Sequence, residues 1–139
     1  MTATSHTLAE RMARFQQSDL YVVITGQFCG GRRSDDVLKS VLAAGVTLVQ
    51  FREKETEDDA ALHAQALRFR ELTAASGALL IVDDRADLAL AVGADGVHLG
   101  QRDLPVEAVK AFAPDLIVGT STHSIDQALA AETAGADYV

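Results

Sequence analysis

Apolar residues arrive along this chain in short, closely spaced runs. They fall at Leu20–Ile24, Val46–Phe51, Ala78–Val82, Gly96–Leu99, Leu116–Gly119 and Ala136–Val139. The runs show little alternation of apolar and polar positions. That pattern predicts strands buried on both faces, as in a parallel sheet. Between them the apolar spacing changes to that of helices. Val37, Val41 and Leu42 mark one face of a helix over Ser34–Ala44, and Leu62, Ala66, Leu67 and Phe69 mark another over Glu57–Ser76. A Ser/Thr/His-containing start reads as a tail leading into a short helix near Leu8–Gln16.

The punctuation agrees with this reading. Ser34 with Asp35 and Asp36, Asp84 before RADLALAV, and Ser124 before IDQALAAE are helix-start residues. Gly45, Gly77, Gly93 and Gly135 follow apolar helical segments, where a left-handed C-cap is expected. Two junctions rhyme, GADGV at 93–97 and GADYV at 135–139. The chain is therefore a βα repeat.

Two architectures accommodate such a repeat, a doubly wound open sheet and a (β/α)₈ barrel. No Gly-x-Gly-x-x-Gly turn follows the first strand, which weighs against a dinucleotide-binding doubly wound fold. CGGRR at 29–33 supplies only a glycine pair in a loop. The expectation is an α/β (β/α)₈ TIM barrel of which this chain supplies about six βα units. Residues 1–19 form the tail and short helix, and residues 20–139 the partial barrel. A closed barrel of this type takes about 250 residues, and about 200 at the low end. With 139 residues, the chain is expected to be a piece of a longer barrel. If complete, it is expected to need another chain, as in a homo-oligomer, to close the sheet and cover its edges.

Charge narrows the function. With 12 Lys+Arg against 20 Asp+Glu, the net charge is −8, a poor match for the phosphate backbone, so nucleic acid is excluded as a partner. No apolar run is long enough for a membrane span and the N-terminus has no apolar signal-peptide core. The single cysteine, Cys29, cannot form an intramolecular disulfide. The expected setting is cytoplasmic, with no membrane partner.

The polar residues cluster in one kind of place. The second strand ends in Gln50, Arg52, Glu53 and Lys54; the third in Asp83, Asp84 and Arg85; the fourth in His98, Gln101, Arg102 and Asp103; the fifth in Thr120, Ser121, Thr122 and His123. The helix-to-strand junctions read as Ala, Gly and Val. In a parallel barrel the C-terminal strand ends share the rim that carries active sites. Arg52 and Lys54 alternate along the chain and can face the same way, with Glu53 opposite. An arginine fork and a lysine point charge together suit a polyanion such as a diphosphate. Asp84 and Asp103, on neighbouring strand ends, would repel that anion unless a cation lay between. Mg²⁺ suits one or two carboxylates with phosphate oxygens completing its shell. Ser121 and His123 are placed to donate to the same group.

Each residue also has a plain structural reading. Arg52-Glu53-Lys54 can be a solvated strand end. Asp84 can cap a helix with Asp87 as its box partner, Asp103 can start a helix before Leu-Pro, and His98 can be a satisfied interior histidine. The concurrence of four polar strand ends on one rim favours a site.

The segments VTLVQFREK, LIVDDRADLALAVGADGVHLGQRDLP, IVGTSTHS and GADYV, in this order and spacing, closely resemble thiamine phosphate synthase, from about Leu20 to Val139. The resemblance implies a (β/α)₈ barrel that couples 4-amino-5-hydroxymethyl-2-methylpyrimidine diphosphate to a thiazole phosphate, with Mg²⁺ and release of diphosphate. It implies Gln50, Arg52 and Lys54 as pyrimidine-diphosphate binders, Asp84 and Asp103 as Mg²⁺ ligands, and Ser121 as a further substrate contact. Asp83 stands where the family usually has a pyrimidine-binding Asn. An ionised carboxylate only accepts hydrogen bonds, whereas an amide also donates. The family's Thr-x-Thr-Lys segment after strand six and its glycine-rich phosphate turns after strands seven and eight have no counterpart in this sequence. Arg52, Lys54 and Ser121 are therefore the expected catalytic groups, acting on leaving-group charge. Two alternatives remain open: a thiazole tautomerase relative with His123 as proton carrier, and a truncated barrel that only binds ligand or is inactive.

Overall fold

The computed structural model describes residues 5–56 and 58–139. The expected tail before residue 5 and the expected helix start at Glu57 lie outside the described residues. Five parallel strands, β1 (Val22–Ile24), β2 (Leu48–Phe51), β3 (Leu79–Asp83), β4 (Gly96–Leu99) and β5 (Ile117–Thr120), form one sheet in the order β1-β2-β3-β4-β5. Neighbours in sequence are neighbours in space throughout, which is barrel order and not the reversing order of a doubly wound sheet. The helices are α1 (Leu8–Gln16), α2 (Ser34–Ala43), α3 (Asp59–Ser76), α4 (Ala86–Val92), α5 (Val106–Phe112) and α6 (Ile125–Ala134).

The two sheet faces are both covered, as the unalternating runs predict. On one face Val49, Phe51, Leu80, Val82, Val97, Leu99 and Val118 join a core with helix residues such as Leu38, Ala66, Phe69, Ala89 and Val109. Phe51 meets Phe69 edge-on, with centroids 4.9 Å apart. On the opposite, inner face Leu48, Leu79, Ile81 and Ile117 pack against Leu8, Met12 and Phe15 of α1 and against Tyr21 and Tyr138. Helix α1 is thus the floor of the barrel interior. Its apolar spacing puts one stripe on the sheet, and Thr7 with Glu10 closes its start as a reciprocal capping box.

Register sets which residues meet. Asp83 pairs with His98, His98 with Gly119, and Gly119 bridges Tyr138. These four lie in one row across the inner face. One row lower run Gln50, Ile81, Gly96 and Ile117. A Cβ on Gly119 would collide with the Tyr138 ring, so only glycine lets the phenol lie against the sheet there.

Several sequence expectations are corrected. The sixth strand, expected over Ala136–Val139, is a single bridge at Tyr138, so the described chain holds five βα units and the first contact of a sixth strand. Leu20 lies outside β1 and is exposed. Asp84 does not cap α4. The cap position is Arg85, whose side chain makes no capping bond, and Asp84 has φ +64°. Ser34 is the first residue of α2, whose cap is Arg33. Ser124 does cap α6, accepting from the Gln127 N–H.

The junctions at the strand starts are not merely apolar. Asp95 is 3 % exposed. It accepts from the Leu80 N–H at 2.9 Å and from Arg70 at 2.8 Å, with Arg11 at 3.4 Å. Asp137 repeats the device, accepting from the Val118 N–H at 2.8 Å and pairing with Lys110. The rhyming GAD triplets are therefore clamps. Each aspartate ties the start of one strand to the preceding strand and neutralises a cation from a helix.

Candidate active site

The polar row opens at the C-terminal strand ends. Arg52 and Lys54 follow β2, and the Arg52 N–H is still held to the Ile24 carbonyl at 3.0 Å. Both cations turn toward β3. Lys54 Nζ lies 2.8 Å from Asp83 Oδ2, and Arg52 Nε lies 3.7 Å from the same oxygen. Glu53 turns the other way, accepting from the Gly26 N–H at 3.3 Å. Lys54 also binds Asp84 Oδ2.

Asp84 occupies the left-handed backbone region, uncommon outside glycine and better tolerated by Asp than by most residues. Such a conformation costs about 1 kcal/mol or more. It is fixed by a hydrogen bond from the Asp84 N–H to the His98 carbonyl at 2.8 Å. Asp103 closes the Gly100-Gln101-Arg102-Asp103 turn by accepting from the Gly100 N–H at 2.7 Å. The neighbouring Gln101 side chain donates to the Ser121 carbonyl at 2.7 Å, tying this turn to the end of β5. Asp84 and Asp103 stand on adjoining strand ends, and each influences the titration of the other.

Charge is distributed unevenly over these carboxyls. Burial raises the Asp83 pKa, and the neighbouring Asp84 charge adds to it, against the pull of Lys54 and Arg52. For Asp84, burial is outweighed by hydrogen bonding to Lys54 and to Asp103, and its pKa falls. Asp103 is pushed up by burial and by Asp84. Lys54 is opposed by burial, yet its two aspartate partners raise its pKa. The charged form is thus favoured at Asp84 and disfavoured at Asp83 and Asp103. The carboxyls of Asp84 and Asp103, on adjoining strand ends, are hard oxygen donors of the type that fits Mg²⁺. No group of three or more His, Cys, Asp or Glu side chains among the described residues is arranged to hold a metal. A Mg²⁺ ion there would take the rest of its shell from water and substrate.

Below the charged rim runs a neutral chain of hydrogen bonds. Gln50 Nε2 donates to the Tyr21 hydroxyl at 2.8 Å, and Tyr21 meets the Tyr138 hydroxyl at 2.8 Å. Tyr138 meets His98 Nδ1 at 2.9 Å, and His98 Nε2 meets Ser121 Oγ at 2.8 Å. Burial raises the pKa of both phenols and lowers that of His98, so the three groups stay uncharged near neutrality. Phe15 of α1 stacks on the Tyr138 ring, centroids 4.8 Å apart.

The structure therefore brings Gln50, Arg52, Lys54, Asp83, Asp84, Asp103 and Ser121 to one end of the sheet. His123 is exposed there, and its N–H donates to Gln127 Oε1 at 2.7 Å. The reading of His98 as a satisfied interior histidine matches its two partners. Tyr21 and Tyr138 carried no role in the sequence reading. The only signal for them was a phenol placed in otherwise apolar strand-start segments.

Parallel strands in barrel order, with Arg52, Lys54, Asp83 and Asp84 gathered at their C-terminal ends, define a TIM-barrel-like α/β protein with a charged rim. The model of the TMP-TENI family, thiamine monophosphate synthase, matches residues 20–139, and the chain belongs to that family. It is 47% identical over 129 residues to a thiamine-phosphate synthase of Moorella thermoacetica, covering 88% of this chain and 59% of the relative. It is 41% identical over 131 residues to that of Dictyoglomus thermophilum, covering 94% of this chain and 58% of the relative. Among solved structures, a thiamine phosphate pyrophosphorylase from Pyrococcus furiosus superimposes with a TM-score of 0.78 at 39% identity, over 88% of this chain and 60% of that one. The chain thus spans somewhat less than three-fifths of these two synthases. No helix among the described residues is long and apolar enough to cross a membrane.

Proposed function

We propose that this chain carries the pyrimidine-diphosphate and metal half of a thiamine-phosphate synthase active site. In this reading residues 20–139 are the barrel domain and α1 is its floor. The supporting observation is the convergence of Arg52 and Lys54 with Asp83 and Asp84 at adjoining strand ends, next to the Asp84–Asp103 pair.

Arg52 and Lys54 grip the diphosphate of the pyrimidine substrate, exchanging Asp83 for phosphate oxygens. Asp84 and Asp103 would hold Mg²⁺, which when bound supplies positive charge to the diphosphate oxygens. As the bond from the pyrimidine methylene to oxygen breaks, its electron pair leaves with diphosphate. The two cations and the Ser121 hydroxyl stabilise the charge that develops there. The thiazole nitrogen then supplies its lone pair to the resulting pyrimidine-methyl cation, forming the new C–N bond. No protein nucleophile is required. Gln50 and Asp83 are the groups placed to hold the pyrimidine ring.

A coupling assay tests this reading. Pyrimidine diphosphate and thiazole phosphate are supplied with Mg²⁺, and thiamine phosphate and diphosphate are measured. Turnover that stops with EDTA and in Asp84→Ala is expected of a synthase. Turnover that persists in either condition contradicts the reading. A binding-only function is the second outcome that the assay distinguishes. It predicts pyrimidine-diphosphate affinity without product. A tautomerase would ignore EDTA and depend on His123.

A further inference from the structure

The neutral chain beneath the rim has two ends that face the site, Gln50 and Ser121, and three interior members, Tyr21, Tyr138 and His98. Each interior group has one proton to give along the chain and one lone pair to receive with. Once the direction of one hydrogen bond is fixed, saturation fixes the rest. Gln50 turns its amide nitrogen to Tyr21, so Tyr21 accepts there. The Tyr21 proton has one acceptor among the described residues, Tyr138. The Tyr138 proton then goes to His98 Nδ1. His98 must carry its own proton on Nε2, where it donates to Ser121 Oγ. Ser121 accepts a hydrogen bond from below, and its own proton has no acceptor among the described residues.

The opposite direction requires a turned Gln50 amide, an Nδ1–H histidine and a serine that donates downward. It would leave Ser121 only lone pairs to offer. An anion such as diphosphate accepts hydrogen bonds and offers none, so it is served by the first direction alone. Conversely, with one N–H of its amide given to Tyr21, Gln50 has its amide oxygen free to accept from a donor such as an amino group, beside its second N–H.

We infer that Tyr21, Tyr138 and His98 are positioning residues that fix the polarity of the site, making Ser121 a hydrogen-bond donor to the anionic end of the substrate and leaving the Gln50 amide oxygen free to accept at the other. The Ser121 part rests on the synthase reading above; the polarity of the chain does not. Tyr138 holds the central place because Gly119 leaves room for its ring and Phe15 stacks on it. The barrel floor thereby determines a property of the rim.

The experiment has two arms, both on the full chain. In the first, protein labelled with ¹⁵N-histidine is studied by long-range ¹H–¹⁵N correlation, with His98 assigned by its disappearance in His98→Gln. The expected pattern is a neutral ring protonated at Nε2, with both tautomers populated in Tyr138→Phe. A ring protonated at Nδ1, or a tautomer that Tyr138→Phe leaves unchanged, overturns the inference. The unmodified protein suffices for the first of these results should the variant not fold.

In the second arm, inorganic diphosphate with Mg²⁺ is titrated into the protein and its variants. Ser121→Ala is expected to weaken binding roughly tenfold, the loss of one hydrogen bond to a charged group. Tyr138→Phe is expected to weaken it several-fold, and to have no further effect once Ser121 is Ala. A general structural role for Tyr138 would weaken binding equally in both backgrounds and would contradict the assignment. Unchanged affinity in Ser121→Ala, with Nε2–H on His98, would remove the diphosphate contact and leave the polarity standing.

Discussion

Lys54 Nζ lies 2.8 Å from Asp83 Oδ2, so Asp83 neutralises a cation proposed above to bind the diphosphate. Asp83 is only 10 % exposed at its side chain, which strengthens the pairing relative to a surface ion pair. Asp83→Asn removes this competition and one negative charge from the site. Binding of Mg²⁺-diphosphate is expected to tighten several-fold, measured by calorimetry. Equal or weaker binding would show that the carboxylate does not hold the cations away from ligand.

The floor of the barrel yields a stability prediction. Asp95→Ala leaves Arg11 and Arg70 close together without their shared carboxylate and strips the Leu80 N–H of its acceptor. Breaking a buried pair of this kind costs about 3–5 kcal/mol. Urea unfolding should show a loss of that size. A loss within the range of surface substitutions would mean that the cluster is not a clamp.

His98 links stability to pH. Burial depresses its pKa from the 6.5 of a free imidazole. Below that value the unfolded chain takes up a proton that the folded chain resists, so the unfolded state binds more protons and stability rises with pH there. This contribution is fully present above pH 6.5 and declines as pH falls below it, until the folded imidazole also protonates. Urea midpoints compared at pH 7.5 and 5.5 should show a decline that is smaller in His98→Gln. An equal decline in both proteins would assign the effect to other groups.

Gly119→Ala places a methyl group where the Tyr138 ring lies. The ring has to move, with a cost of about 1–3 kcal/mol, as is usual for overpacking. His98 and Tyr21 lose their shared partner at the same time. Unfolding by urea, followed by tyrosine fluorescence, should report both the lower stability and a changed Tyr138 environment. Wild-type behaviour would show that the close approach is not needed.

Much of this was legible in the sequence, for reasons that differ by residue. Helix α1 and strand β4 have the bounds that the sequence pattern predicts, Leu8–Gln16 and Gly96–Leu99. The polar strand ends were readable because βα order alone places them on one rim. Register was not. Nothing local says that Asp83 pairs with His98 and His98 with Gly119, so the row that joins Tyr138 to the site was invisible. Asp84 looked like a helix cap because an Asp before a helix usually is one; its left-handed backbone comes from the His98 carbonyl on the next strand. The GAD triplets rhyme in the sequence, but nothing local marks them as clamps. Their partners Leu80, Arg70, Val118 and Lys110 lie 15 or more residues away in sequence.

The central claim is that the rim of Arg52, Lys54, Asp84 and Asp103 binds a diphosphate together with Mg²⁺. Calorimetric titration of the pyrimidine diphosphate, with Mg²⁺ and then with EDTA, tests it most directly. The account predicts binding that needs Mg²⁺ and falls by about tenfold or more when Arg52 or Lys54 becomes Ala, since each loses charge-assisted bonds. Binding that is indifferent to EDTA, or equally tight in both alanine variants, would contradict it.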